Sequence, residues 1–280
     1  MMAKTKTFWL WFLIPLGMPA LLVAGEAQNA FNEGVKLYKA AKYKEAIAAY
    51  NRAIKASPKA EEAYNNRGLA YFKLGQGDNA IKDYDEALKL NPKLADARFN
   101  RGNVFYEQKQ YERAIKDYDE VIAQDSKAPK AYRQRGLAFL SVNQLDKAIQ
   151  DFTQAQKLDP KDAEIYYHRG LAYRRLGKND QAVQDYSEAI KLDAKNPEAY
   201  NNRANAYSLL GKYDEAVKDY DEAIKLNAKN ARIYANRGVI KSRQGKHDEA
   251  QNDFKKAIEL DPSLKDKLDP LMEQKGATKR

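Results

Sequence analysis

Small, aromatic and polar positions follow one another in an order that closes every 34 residues between residues 27 and 262. Counted from the start of each unit, the eighth place is small: Gly34, Gly68, Gly102, Gly136, Gly170, Ala204 and Gly238. The twentieth is alanine each time, from Ala46 to Ala250, and the twenty-fourth is Tyr50, Tyr84, Tyr118, Phe152, Tyr186, Tyr220 and Phe254. The twenty-seventh is alanine except for Val121. Places 4, 8 and 11 are spaced by four and three residues, which puts them on one helix face. Places 20, 24 and 27 repeat that spacing on a second helix. Turn residues separate the two, as in Leu74-Gly75-Gln76-Gly77-Asp78. Pro58, Pro92, Pro160 and Pro262 block helix continuation near the ends of their units. The spacing predicts seven helix hairpins over 27–60, 61–94, 95–128, 129–162, 163–196, 197–230 and 231–262. No hairpin of this kind buries its apolar face alone, so neighbours must stack.

One polar pair keeps the same period. The seventh place is Arg67, Arg101, Arg135, Arg169, Arg203 and Arg237 in repeats two to seven, and the twenty-third is Asp83, Asp117, Asp151, Asp185, Asp219 and Asp253. Repeat one lacks both, carrying Glu33 and Ala49. Their joint presence and absence predicts a charge-assisted bond between the two helices of one hairpin. The aspartates of Asp83-Tyr84-Asp85-Glu86, two residues apart on a helix, diverge and cannot share a metal ion. The second of each such pair is expected to be solvated.

The segments AYNNRGLAYFKLG, EIYYHRGLAYRRLG and AYNNRANAYSLLG, within seven units of equal length, resemble the tetratricopeptide repeat family from Ala27 to Pro262. Ala30, Arg98 and Lys241 depart from the aromatic or apolar residues usual at their places. The resemblance implies an all-α fold, a right-handed α-solenoid of helix-turn-helix hairpins, in which the first helix of each hairpin lines a concave groove. It implies a non-enzymatic scaffold that holds an extended segment of a partner protein. The sixth, groove-facing place carries Asn32, Asn66, Asn100, Gln134, His168, Asn202 and Asn236. A carboxamide both donates and accepts, so it can grip a peptide backbone. This ladder resembles the asparagine ladder of the O-linked GlcNAc transferase family; the competing role is local support of the fold. Phe99 and Tyr106 add aromatic surface, and Lys130, Arg133, His168, Arg174 and Arg175 make a cationic stretch suited to acidic side chains. The residues of the family's clamp for a C-terminal carboxylate do not occur in register.

Residues 1–25 differ from the rest. Lys4 and Lys6 precede an uncharged stretch from Phe8 to Ala24, and Val23-Ala24-Gly25 offers small residues before Glu26. Pro15, Gly17 and Pro19 are expected to break its helix. This reads as a cleaved signal peptide, with a retained membrane anchor as the alternative. Either exports the remainder, to the periplasm or beyond, or leaves it anchored outside the cytoplasm. Residues 263–280 are expected to form a capping helix and tail.

The formal net charge of +10 is concentrated: repeat one carries +5 and repeats two to seven together +2. A continuous phosphate-binding stripe is therefore not expected, nor nucleic acid as a partner. Lys36, Lys39, Lys42 and Lys44 are the exception, read as a solvated helix end or, if the leader is retained, as a contact for anionic headgroups; a basic first repeat that binds anionic lipid or nucleic acid is the alternative function from another class. The chain has no cysteine and two histidines, and it shows no phosphate loop, nucleophile elbow or His-Glu-x-x-His pair. No catalytic residue, metal site or cofactor is expected. A holder of unfolded exported chains is the other role the ladder suits.

Overall fold

The computed structural model describes residues 18–273, with side chains from residue 24 onward. These residues form fifteen α-helices and one 3-10 turn, without a strand. In chain order the helices are α1 (Met18–Lys39), α2 (Tyr43–Ala56), α3 (Glu61–Lys73), α4 (Gly77–Leu90), α5 (Ala95–Glu107), α6 (Tyr111–Gln124), α7 (Pro129–Ser141) and α8 (Leu145–Leu158). They continue as α9 (Ala163–Arg175), α10 (Asn179–Leu192), α11 (Pro197–Leu209), α12 (Tyr213–Leu226), α13 (Ala231–Arg243), α14 (His247–Leu260) and α15 (Lys265–Glu273). Fourteen of them make the successive hairpins of an α-solenoid. The contacts divide the chain into two compact units, one ending at Asp117 and the other starting at Tyr118. The expected leader falls largely outside the described residues. Its last part does not break: α1 runs from Met18 through Val23–Gly25 into repeat one. Pro19 sits in its first turn, where a missing N–H costs nothing.

The first unit buries Ala80, Tyr84, Ala87, Leu88, Ala97 and Val104 in one cluster, so the apolar side of α4 is covered by α3 and by α5 of the next repeat. The second unit repeats this with Ala204, Ala216, Tyr220, Ala223, Ile233 and Ile240. At its end, Leu268 of α15 packs on Ala250, Phe254 and Ala257. Alanines bring the helices close, and the aromatic at place 24 fills what remains. A Cβ added at Gly170 would lie 2.8 Å from the Tyr186 ring, and at Gly34 2.5 Å from Tyr50. Ala204 shows that one repeat has adjusted to a methyl group there while keeping Tyr220 buried.

All seven hairpin turns close in the same way. Ala41, Gly75, Lys109, Asn143, Gly177, Gly211 and Gly245 adopt positive φ, between 57° and 77°. In the first turn, Lys42 N–H donates to Leu37 O and Ala41 N–H to Tyr38 O, both at 2.9 Å, and the others follow suit. This is a Schellman ending, which favours glycine at the left-handed residue. Four turns have it; Ala41 and Lys109 carry the steric cost of a side chain there.

The Arg–Asp pairing within a hairpin is present in repeats two to seven. Each guanidinium grips its aspartate with two parallel bonds, Nε–Oδ2 at 2.7–2.9 Å and Nη2–Oδ1 at 2.5–2.7 Å. The aspartates are only 4–6% exposed. Burial works against the charge on Arg67, Arg135, Arg169, Arg203 and Arg237, but the aspartates outweigh it and hold these groups above the usual arginine range.

The third corner of the fork corrects an expectation. Nη1 reaches back to place 25 of the preceding repeat: Arg67 to Asn51 (2.6 Å), Arg101 to Asp85 (2.6 Å), Arg135 to Asp119 (2.5 Å), Arg169 to Thr153 (3.1 Å), Arg203 to Ser187 (2.9 Å) and Arg237 to Asp221 (2.5 Å). The second aspartate is therefore bonded to the next repeat's arginine, although about half exposed at Asp85 and Asp119. Rings flank several forks, as Tyr64 and Tyr71 do Arg67 at 5.4 and 5.9 Å. Where Lys241 replaces the second ring, its ammonium pairs with Asp253 at 3.1 Å instead.

Three outcomes follow. Asp151→Ala strands a largely buried guanidinium and should cost about 3 kcal/mol, against less than about 1 kcal/mol for Asp119→Ala at the half-exposed corner. Equal shifts in urea midpoint would contradict this division of labour. Lys109→Gly should stabilise by about 1 kcal/mol by relieving the left-handed residue; a lower melting temperature than wild type would refute it. Burial pushes the Tyr50 phenol up to about 12, and Tyr84, Tyr186 and Tyr220 up further. A raised folded-state pKa contributes stability that is complete below the unfolded value and lost as pH rises. Alkaline unfolding should thus begin above about pH 10. In an absorbance titration, the last tyrosinates should form together with the loss of helix, and their forming earlier would show the rings to be accessible.

Candidate peptide-binding face

Every candidate side chain stands on the first helix of a hairpin. In the first unit, Asn32 on α1 is exposed, while Asn66 on α3 and Phe99, Asn100 and Tyr106 on α5 are half-buried. The amides do not all stand alone. Asn100 Nδ2 donates to Asn65 Oδ1 at 3.1 Å, and Asn65 Nδ2 to Asn66 Oδ1 at 3.3 Å. Asn65, 8% exposed, is thus the link between α3 and α5. Its place varies among Phe31, Phe99, Arg133, Tyr167, Asn201 and Ala235 in the other repeats, so period alone did not single it out. Asn32 accepts from Gln28 at 3.0 Å. The Tyr106 ring packs edge-on against Tyr111, centroids 5.4 Å apart.

In the second unit, Arg133 and Gln134 lie on α7, His168 and Arg174 on α9, Asn202 on α11 and Asn236 on α13, all half-buried. Asn202 Nδ2 donates to the Tyr167 hydroxyl at 3.0 Å. Asn236 Nδ2 donates at 3.3 Å to Asn205 Oδ1, which also accepts the Tyr220 proton at 2.7 Å. The recurring pattern is a carboxamide whose nitrogen ties one first helix to the preceding one. The Oδ1 atoms of Asn100, Asn202 and Asn236 have no protein partner among the described residues. Such an oxygen can accept a peptide N–H.

The cationic stretch separates into paired and unpaired members. Arg133 bonds Asp162 at 2.6 Å, and Arg175 donates to Leu140 O at 2.9 Å. His168 Nε2 lies 3.0 Å from Glu164, and that bond holds the Glu164 carboxyl below its usual range. The His168 ring stacks on Phe152, centroids 6.1 Å apart, and meets Tyr167 edge-on at 5.0 Å. Arg174 forms no ion pair among the described residues.

A family model described as the cilia and flagella-associated protein 70 C-terminal domain matches residues 60–269, and a TPR repeat model matches residues 34–75. The chain belongs to the tetratricopeptide repeat family. No curated protein matches it significantly. Its fold is similar to the C-terminal part of a TPR repeat-containing protein from Cytophaga hutchinsonii, at 22% identity over 86% of this chain and 99% of that one, with a TM-score of 0.71. MamA from Desulfovibrio magneticus RS-1 is 25% identical over 60% of this chain and 96% of its own, with a TM-score of 0.58. YrrB, described as a TPR protein with an unusual peptide-binding site, is 20% identical over 64% and 93%, with a TM-score of 0.57. The tetratricopeptide repeat fold is that of a protein–protein interaction scaffold. Among the described residues there is no cluster able to hold a metal ion, and no helix is long and apolar enough to cross a membrane.

Proposed function

We propose that this protein is an exported, non-enzymatic adaptor whose first-helix faces bind an extended segment of a partner protein. The observation that carries this reading is the recurring carboxamide, fixed through its nitrogen and open at its oxygen at Asn100, Asn202 and Asn236. Holding the nitrogen between two helices removes rotamer freedom before a ligand arrives, so little entropy remains to be lost on binding. Main-chain bonding of this kind sets affinity without reading sequence, and the side chains around it set specificity. Export rests on the basic, then apolar, then small-residue order of residues 1–25. YrrB, with its peptide-binding site, makes a peptide ligand reasonable for a protein of this fold.

Photo-crosslinking in the native cell, with the probe in place of Asn100, tests the reading. One dominant protein adduct is expected of an adaptor. A smear of many exported proteins would assign the holder role instead, and no adduct would remove the face from consideration. The double change Asn100→Ala/Asn202→Ala should weaken binding about tenfold or more while leaving the helical content unchanged, each amide contributing about 1 kcal/mol. A fold that melts with binding intact would make the amides structural only. If binding falls with salt and survives the double change, the exposed Lys36, Lys39, Lys42 and Lys44 become the contact.

A further inference from the structure

In repeats one and three, the side chain that opens the second helix covers a ring on the first. Tyr43 at place 17 lies edge-on to Tyr38 at place 12, and Tyr111 to Tyr106, each pair with ring centroids 5.4 Å apart. Repeat four has Leu140 and Leu145 at these two places, both buried. Repeats five to seven carry Arg174, Ser208 and Ser242 at place 12, which need no apolar cover. Repeat two alone combines a large apolar group at place 12, Phe72, with a glycine at place 17, Gly77.

The backbone does not require that glycine. Gly77 opens α4 and is not among the positive-φ residues; the left-handed residue of this turn is Gly75. What the missing side chain leaves is room. A cavity of about 340 Å³ is lined by Phe72, Gly75, Gly77, Val104, Glu107 and Gln108, all within the first unit. Val104 is its most deeply buried wall, 1% exposed, while Phe72 is only half-buried. Gln108 is not there as a substitute for the ring. Its Nε2 donates to Asp78 at 2.9 Å, and Gln244 makes the same bond to Asp214 at 2.8 Å in a hairpin that keeps Tyr213 at place 17.

We infer that this cavity takes the ring of a phenylalanine or tyrosine of the bound segment, with a lysine or arginine next to it. This rests on the peptide-binding reading above. The chain itself shows the occupant, since repeats one and three set a tyrosine ring of their own against the ring at place 12. Edge-on ring pairs add to what area burial supplies, so an aromatic side chain is favoured over an aliphatic one. Glu107, exposed, is the one charged group lining the cavity, and it favours a basic neighbour beside the ring. The cavity also lies within reach of the carboxamide face. Asn100 and Glu107 both stand on α5, seven residues or about 10 Å apart along its axis, a distance that three or four residues of extended chain span.

The test uses the full-length protein and short peptides of serine and alanine, blocked at both ends, with a central lysine followed by phenylalanine, leucine or alanine. By fluorescence anisotropy, phenylalanine should bind about tenfold more tightly than alanine and about threefold more tightly than leucine. Exchanging the lysine for glutamate should weaken the phenylalanine peptide about threefold at low salt. Gly77→Tyr fills the cavity from within, as repeats one and three do. Its Cβ would lie 2.9 Å from Gln108 Nε2, the end of a flexible side chain that can turn aside. The substitution should abolish the phenylalanine gain while leaving the alanine peptide's affinity as it was. Phe72→Ser, with the residue of repeats six and seven at this place, removes the ring partner instead and should abolish the preference over leucine; it keeps the test decisive if Gly77→Tyr folds poorly. Equal affinity for phenylalanine and alanine, or a gain that survives both substitutions, overturns the cavity as the site and leaves the peptide-binding face standing. Equal affinity for phenylalanine and leucine overturns the aromatic assignment, and indifference to the glutamate exchange overturns the basic neighbour. Failure of every peptide to bind overturns both readings.

Discussion

A carboxylate buried to within a few per cent of complete exclusion survives only if its charge is met, and six such aspartates occur at the same place in successive repeats. The guanidinium that meets each one has five donors in a fixed plane. Two are used on the aspartate across the hairpin, and one is left pointing at the preceding repeat. A single residue type therefore sets both spacings of the stack: helix to helix within a hairpin, and hairpin to hairpin. A lysine could neutralise the aspartate, but it could not hold both directions at once. The alanine and aromatic core supplies the apolar burial, and the fork makes that burial occur in one register.

The fork also limits where function can lie. Place 7 and its flanking rings at places 4 and 11 are committed to the hairpin interior, as are places 8, 20, 24 and 27. What remains variable on the first helix is places 2, 5, 6, 9, 12 and 13. The structure uses some of these for a second, weaker set of links between repeats, through Asn65, Tyr167 and Asn205. Peptide binding and repeat stacking thus share the same carboxamides. A ligand that donates to those oxygens would meet side chains already held in place, which is the physical meaning of a preorganised face.

Repetition made most of the fold legible before any coordinates. Glycine opposite tyrosine, alanine opposite alanine and arginine with aspartate each occur often enough that their period reveals the pairing. The departures were legible as departures but not in their consequences. Lys241 breaks the aromatic pattern, yet its pairing with Asp253 depends on the carboxylate having a lone pair to spare beyond the fork. Ala41 and Lys109 look like ordinary turn residues until φ shows that they sit where glycine belongs. The place of Asn65 holds aromatic, charged, amide and small residues in turn, so no period marked it as the bridge between two first helices.

The sequence by itself determined the hairpins, their number and order, and which partner each buried charge has within its own repeat. Those relations are local: about one helical turn, or one hairpin, separates the residues concerned, and chain connectivity leaves few alternatives. Only the tertiary structure decided what crosses from one repeat to the next. The third corner of each fork and the acceptor chosen by each carboxamide depend on how far one helix is displaced against its neighbour. That displacement is a balance of packing volumes over many side chains, to ångström precision, which a pattern of residue types along the chain does not encode.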